Sequence, residues 1–336
     1  MCIRDRSDID LLVVYKGQKR EDAYAKVKKT IEISGIEPHI YTESEYTKMK
    51  EVIEKILRVV PPKVIGITGG EPLLRRDVFD IIEFISEKGL RVGINSNGTL
   101  PKSIYRKLLE TSIDMIGISL HFLSDYKQDE FSGVPGTWEK IVENLYYLKE
   151  NNPGKFLYVQ CTLTSYNYRE VLELKKFVNS EIGLPFLVVP ATWGYEEGIL
   201  RTRNEELADV ERREFETVRR ELSKFMGIKV LRNRTFLNVA FEQFLTGKKC
   251  WNCRAGELYF AVSPDGRFCI CQDIETELSV LDEDFARKLR SREMKEKIEN
   301  LRERCPGCTY PCYPVSYTHL RAHETSLHLV CRLLLE

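Results

Sequence analysis

Net charge is what this sequence most plainly lacks. Its 51 lysines and arginines are matched by 51 aspartates and glutamates, and the pI is near 7.0. A balanced chain leaves no electrostatic footprint for nucleic acid or an anionic membrane, so neither partner is expected. Long apolar runs are missing too. None approaches the roughly 20 residues that span a bilayer, and the N-terminus carries no signal-peptide core. A soluble, cytoplasmic protein is expected. Cysteine is absent where it might be spread and crowded elsewhere. Of ten, only Cys2 precedes Gly69, whereas seven lie between Cys250 and Cys312. Seven thiols in so short a stretch exceed what a reduced core collects by chance, and they point to metal ligation rather than a disulfide scaffold.

The two ends lack the periodicity of protein. Met1–Arg6 has none, and from Pro314 the composition changes abruptly, with three of the five histidines (His319, His323, His328) beside Cys331. Both ends resemble translated sequencing-adapter read-through, and residues 1–6 and 314–336 are set aside from the fold. A His/Cys metal tail is the competing reading. Residues 7–57 form a first unit. Ser7-Asp8-Ile9-Asp10 runs into the apolar strand Leu11–Tyr15, and a period of two puts Asp8 and Asp10 on one face, where they can share a divalent cation. A charged helix and a short strand (37–41) follow. This unit resembles the minimal nucleotidyltransferase family. That resemblance makes Asp8 and Asp10 metal ligands, with Glu37 a third candidate. The family's upstream Gly-Ser phosphate loop is missing here, so a truncated, inactive piece is expected.

The centre of the chain is organised around Val64-Ile-Gly-Ile-Thr-Gly-Gly-Glu-Pro72. A β-branched run ends in two glycines, which open the backbone to close ligand approach, and Pro72 fixes the exit. Strands are expected at 63–67, 91–95, 114–120, 156–163 and 185–190. Helices are expected at 77–88, 102–111, 137–150 and 169–180, with a polar loop between His121 and Thr137. Five near-continuous apolar strands alternating with helices signal a parallel α/β sheet, with polar residues gathered past each strand's carboxyl end.

Thr68-Gly-Gly-Glu-Pro72, Asn95-Ser-Asn-Gly-Thr99 and Ile118-Ser-Leu120, with Gly133-Val-Pro-Gly-Thr137 following, resemble the radical S-adenosylmethionine (radical SAM) superfamily over about residues 60–313. The resemblance implies an α/β fold, a partial (β/α)6 TIM-like barrel lacking its native first unit, at about 58–235. It implies SAM contacts at Gly69, Gly70, Glu71, Asn97 and Ser119. It also implies cleavage of SAM to a 5′-deoxyadenosyl radical that abstracts hydrogen from a small-molecule, peptide or protein substrate, with an electron donor such as ferredoxin or flavodoxin. His121 replaces a frequent aspartate, and Gln160 a frequent arginine. The family's Cys-x3-Cys-x2-Cys is absent upstream of Gly69, so this chain is expected not to cleave SAM, and a chimera joined within about 46–62 is the simplest account.

Beyond the barrel, 204–226 reads as a charged, solvated outer helix, and a helix at 235–246 leads into the cysteines. Two Cys-x2-Cys pairs, Cys250/Cys253 and Cys305/Cys308, would satisfy a zinc ribbon but leave Cys269, Cys271 and Cys312 unused. The alternative is a small cysteine-rich α+β domain (236–313) resembling the SPASM or twitch domains of radical SAM enzymes. By that resemblance Cys253, Cys271, Cys305, Cys308 and Cys312 hold an auxiliary 4Fe–4S cluster, with Cys250 and Cys269 in reserve. The cluster is favoured over zinc. Cys161, alone inside an apolar strand, reads as a small buried hydrophobe.

Overall fold

The computed structural model describes residues 9–15, 36–42, 49–60, 62–164, 166–191, 209–224, 234–246, 249, 251–263, 265–271, 274–305, 307–309 and 330–334. Asp8, Cys250 and Cys312 lie outside these residues. Strands β1 (Ile9–Tyr15) and β2 (Ile36–Thr42) pair in parallel as a separate two-stranded sheet, with Asp10 opposite Glu37. The third carboxylate candidate of the first unit is thus the register partner of Asp10.

The main sheet begins after helix α1 (Met49–Val59). It runs β3 (Val64–Thr68), α2 (Val78–Glu87), β4 (Arg91–Ser96), α3 (Lys102–Glu110) and β5 (Met115–Ser119). It continues with α4 (Asp125–Ser132), α5 (Thr137–Glu150), β6 (Phe156–Leu163), α6 (Val171–Lys176) and β7 (Phe186–Pro190). Neighbouring strands from β3 to β7 pair in parallel in sequence order. All five strands lie within a residue or so of their expected positions. Alternate residues such as Ile65, Ile67, Ile94, Ile118, Val159 and Cys161 are buried in the same core as Ile53, Ile82, Tyr105 and Leu145 of the covering helices. Cys161 is fully buried there, and burial pushes its thiol pKa up, as its reading as a hydrophobe required.

Three differences have physical causes. The polar loop after His121 is in fact α4. This helix has no apolar stripe to betray it, but Ser124 caps its N-terminus through Lys127 N–H and Gly133 ends it in the left-handed region. The helix expected at 169–180 splits into α6 and a π-helical turn, Phe177–Ile182, stopped by Gly183 at φ +79°. The expected outer helix is α7 (Asp209–Lys224), and it is docked rather than merely solvated. Phe215, Val218 and Leu222 are buried, and Phe215 stacks on Tyr168 at 4.2 Å and meets Phe244 of α8 (Arg234–Thr246) at a tilt, 5.1 Å between ring centroids.

The C-terminal part adds β8 (Tyr259–Val262), β9 (Arg267–Cys271) and β10 (Ile274–Ser279) as an antiparallel meander, then α9 (Phe285–Arg290) and α10 (Arg292–Arg304). Residues 330–334, set aside above as part of the tail, form β11 (Val330–Leu334). It pairs in parallel with β3 on one side and β8 on the other, so one nine-stranded sheet runs β10-β9-β8-β11-β3-β4-β5-β6-β7. Among the described residues no helix is long and apolar enough to cross a membrane.

Candidate active site at the strand termini

The carboxyl ends of β3, β4, β5 and β6 form one rim, and a single carboxylate ties two of its loops together. Glu71, at 7 % exposure, accepts from Leu73 N–H at 3.1 Å through Oε1. Its Oε2 accepts from Asn97 N–H at 2.7 Å and from Ser96 Oγ at 3.1 Å. Ser96 Oγ lies 3.1 Å from the hydroxyl of Tyr105, which in turn accepts from Leu100 N–H, and burial raises the Tyr105 pKa. Asn144 Nδ2 closes the far side by donating to the carbonyls of Gly98 and Leu100 at 2.8 and 2.9 Å. Gly98 is obligatory in this knot: its φ is +80°, and a Cβ would sit 2.8 Å from Ile118 Cγ2.

The SAM-contact candidates therefore divide. Gly70 is exposed and Gly69 has a φ of 153°, leaving bare backbone at the rim. Asn97 is exposed, with Oδ1 committed to Thr99 N–H and Oγ1 in an Asx turn at 3.0 and 2.8 Å. Ser119 ends β5 half-buried, directly opposite Gln160 of β6. Glu71 stands among them, but its carboxylate faces its own protein. Sequence reasoning missed Ser96, Tyr105 and Asn144, the partners that hold this loop. Ser96 lay inside the quoted Asn95–Thr99 motif, whereas nothing local marked Tyr105 or Asn144.

The β5 and β6 ends are joined by Asn167, 1 % exposed, whose Nδ2 donates to His121 O at 2.9 Å and Thr162 O at 2.8 Å. Its Oδ1 accepts from Thr164 N–H at 2.8 Å. His121 accepts from Thr162 N–H through Nδ1 at 3.1 Å, which fixes the neutral Nε2–H tautomer, and its ring meets Phe131 edge-on at 5.1 Å. Burial lowers its pKa to about 4. That environment gives His121 a packing role. A pH dependence follows with a definite sign. The folded pKa lies below the unfolded value, so His121 contributes fully above about pH 6.5, and the contribution is lost as pH falls toward 4. Between pH 7 and 4.5 the urea midpoint of the parent should therefore fall more steeply than that of His121→Gln. Parallel curves would remove His121 from the account.

On the inward face, the glycine of β5 makes room for a polar bridge. Tyr158 donates to Asn95 Oδ1 at 2.7 Å across Gly117, where a Cβ would lie 2.2 Å from Asn95 Oδ1 and 2.6 Å from Tyr158 Cζ.

The cysteines gather only in part. Cys253 and Cys305 are close enough for their charges to interact. Burial raises the Cys253 thiol, opposed by the Ala255 N–H and by Lys249 and Arg302. Cys305 Sγ accepts from Gly307 N–H at 3.4 Å, and Thr309 Oγ1 donates to the carbonyl of Pro190, which docks this knuckle at the end of β7. Cys271 and Cys308 are buried in the core, and burial pushes the Cys269 thiol up to about 12. Among the described residues no group of three or more His, Cys, Asp or Glu side chains is arranged to hold a metal ion.

Residues 19–178 match the family model "Radical SAM superfamily". Over that stretch, a little under half of its length, the chain is similar to the radical SAM superfamily. The match begins inside the unit that resembles a nucleotidyltransferase. Among curated proteins, the AdoMet-dependent heme synthase of Methanosarcina barkeri is 30 % identical over 152 residues, 44 % of this chain and 42 % of that protein. The probable GTP 3',8-cyclase of Metallosphaera sedula is 35 % identical over 123 residues, 36 % of this chain and 38 % of that protein. The chain thus spans less than half the length of these relatives, all named as enzymes. Among solved structures, Streptococcus suis SuiB superposes with a TM-score of 0.55 at 17 % identity, over 88 % of this chain and 68 % of that one. The anSMEcpe structure with bound AdoMet and Kp18Cys peptide gives 0.50 at 15 %, over 86 % and 83 %. The radical SAM fold is therefore shared: a partial barrel of five parallel strands with helices, followed by a small antiparallel sheet. The superfamily's cofactors are SAM and a 4Fe–4S cluster.

Proposed function

We propose that the chain derives from a cytoplasmic radical SAM enzyme, with SAM seated on the rim at Gly69, Gly70, Asn97 and Ser119. The observation that carries this reading is the Glu71 tie between the loops after β3 and β4. It holds exposed main chain of one loop beside the exposed Asn97 of the other. Glu71 is thereby a positioning residue, and any ligand contact there is made by its backbone. Bare main chain beside polar side chains fits the amino-acid end and ribose of SAM, which need donors and acceptors at fixed places. Complexes with peptides favour a peptide or protein substrate: SuiB is solved with the precursor peptide SuiA, and anSMEcpe with Kp18Cys peptide. A ferredoxin or flavodoxin would supply electrons.

The residues present do not fit the SAM-cleaving cluster. Cys-x3-Cys-x2-Cys occurs nowhere before Gly69. No step is therefore routed through that cluster, and the chain as it stands is proposed not to cleave SAM. Cys253 and Cys305 fit the start of an auxiliary site, with Cys271, Cys308 and Cys312 as further candidates and Cys250 and Cys269 in reserve. The nucleotidyltransferase reading keeps one observation of its own, Asp10 opposite Glu37.

Anaerobic reconstitution of the full chain with iron and sulfide separates these readings. The expected product is brown, absorbs broadly near about 400 nm and holds about four irons per chain. Iron should fall at least fourfold in Cys253→Ala and in Cys305→Ala, and SAM with dithionite should yield no 5′-deoxyadenosine. Colourless protein holding zinc would replace the auxiliary cluster with a ribbon. Measurable 5′-deoxyadenosine would overturn the proposed inactivity.

A further inference from the structure

The two faces of the sheet treat their polar side chains in opposite ways. Strands β3 and β6 alternate strictly between half-buried and buried positions, the pattern of a sheet packed on one face and more open on the other. The register gathers the half-buried positions together. Asn95 lies opposite Gly117 and Gly117 opposite Tyr158, and one step nearer the rim Ser119 lies opposite Gln160. Thr162 follows Gln160 by two positions, and Thr68 follows Gly66, the partner of Gly93, by two. All of these stand on the inward face.

On the covered face, Ser96 is tied to Glu71 and Tyr105. On the inward face, among the described residues, no hydrogen bond reaches the side chains of Thr68, Ser119, Gln160 and Thr162. Asn95 gives its Oδ1 to Tyr158 and leaves Nδ2 without a partner. Each of these residues is half-buried. Polar groups withdrawn so far from water are ordinarily bonded within the protein. Left open together on one face, they are donors and acceptors for something that enters the barrel. None carries a charge: the set is two carboxamides and three hydroxyls.

We infer that this face is a substrate subsite for an uncharged carboxamide side chain of a peptide. A carboxamide presents donors and acceptors in one plane, and Asn95 Nδ2, the Gln160 amide and the Thr162 hydroxyl supply both kinds in return. A carboxylate of the same shape brings only acceptors, with a charge for which the face holds no counter-ion, and an ammonium meets no carboxylate there. Ser119, already assigned to SAM, marks the boundary between the two ligands. The inference deepens the proposed function and rests on it for calling the peptide a substrate. Binding at the face itself does not require SAM.

The experiment measures binding of the blocked peptide acetyl-Ala-Ala-Gln-Ala-Ala-amide to the full chain by saturation-transfer NMR, beside counterparts with Glu or Lys at the centre. The glutamine peptide should bind saturably, at least about tenfold more tightly than either charged one. In Gln160→Lys the order of the glutamine and glutamate peptides should invert, which lost packing alone does not produce. The first comparison needs no variant, so it decides even if Gln160→Lys folds poorly. Equal affinity for the three peptides, no binding of the glutamine peptide, or an unchanged order in a folded Gln160→Lys chain would each overturn the inference. SAM is titrated separately. Peptide preference in a chain that binds no SAM would remove SAM from the rim and leave this subsite standing.

Discussion

Glu71→Ala should cost the fold about 3 kcal/mol, read as a lowered urea midpoint at constant slope. The carboxylate accepts from Leu73 N–H, Ser96 Oγ and Asn97 N–H, and it is almost wholly removed from water. Alanine leaves these donors without it, and an unsatisfied buried donor costs about 1–3 kcal/mol. The losses do not simply add. Ser96 keeps Tyr105 as a neighbour, and Asn97 is exposed enough for water to take its N–H. Leu73, buried at 4 % exposure, carries the largest share. Glu71→Gln keeps the shape and one acceptor oxygen, so it should cost about 1 kcal/mol. If alanine costs no more than glutamine, the carboxylate is not what joins the two loops.

Gly117→Ala should destabilise by about 2–3 kcal/mol although it adds one methyl group. The new Cβ would fall within 3 Å of both Asn95 Oδ1 and the Tyr158 ring, so the bridging pair must separate. The effect is therefore steric and bears on both partners, and Asn95 can turn its amide aside only once Tyr158 no longer holds it. In Tyr158→Ala the ring is gone, and the same glycine substitution should cost less than about 1 kcal/mol. That cycle yields a coupling of at least about 1–2 kcal/mol. Purely additive losses would mean that Gly117 matters for its backbone alone.

The barrel was legible in the sequence because its signals are local and repeated. Val64–Thr68 and Phe156–Leu163 announce themselves by β-branched and aromatic residues, and Thr137–Glu150 by its periodicity and starting threonine. Helix α4 was not legible as an apolar pattern, since Gln128 is the buried residue of its eight. Its caps, Ser124 and Gly133, were the one signal the sequence carried, and the polar-loop reading passed over them. At the site, motif residues were readable but their division of labour was not. Whether Glu71 faces a ligand or its own loops depends on Ser96 and Asn97, which are 25 and 26 positions away. The distant clamps Tyr105 and Asn144 follow from tertiary packing, to which single-residue types give no clue. The cysteines were countable, yet spacing could not reveal that Cys269 and Cys271 sit on a buried strand while Cys253 lies near enough to Cys305 to feel its charge.

The β11–β3 pairing also sets an order of events in folding. Val64 meets Arg91 of β4 across 27 positions of chain, but meets Val330 across 266. Closing the longer loop costs about 2 kcal/mol more in chain entropy by the logarithmic law. Pairings close in sequence form sooner than remote ones. During synthesis from the N-terminus, β3 to β7 can assemble before Val330–Leu334 are made. For that interval the ladder groups on the outer edge of β3 stay open, which makes the nascent chain, more than the finished one, the form most exposed to mispairing.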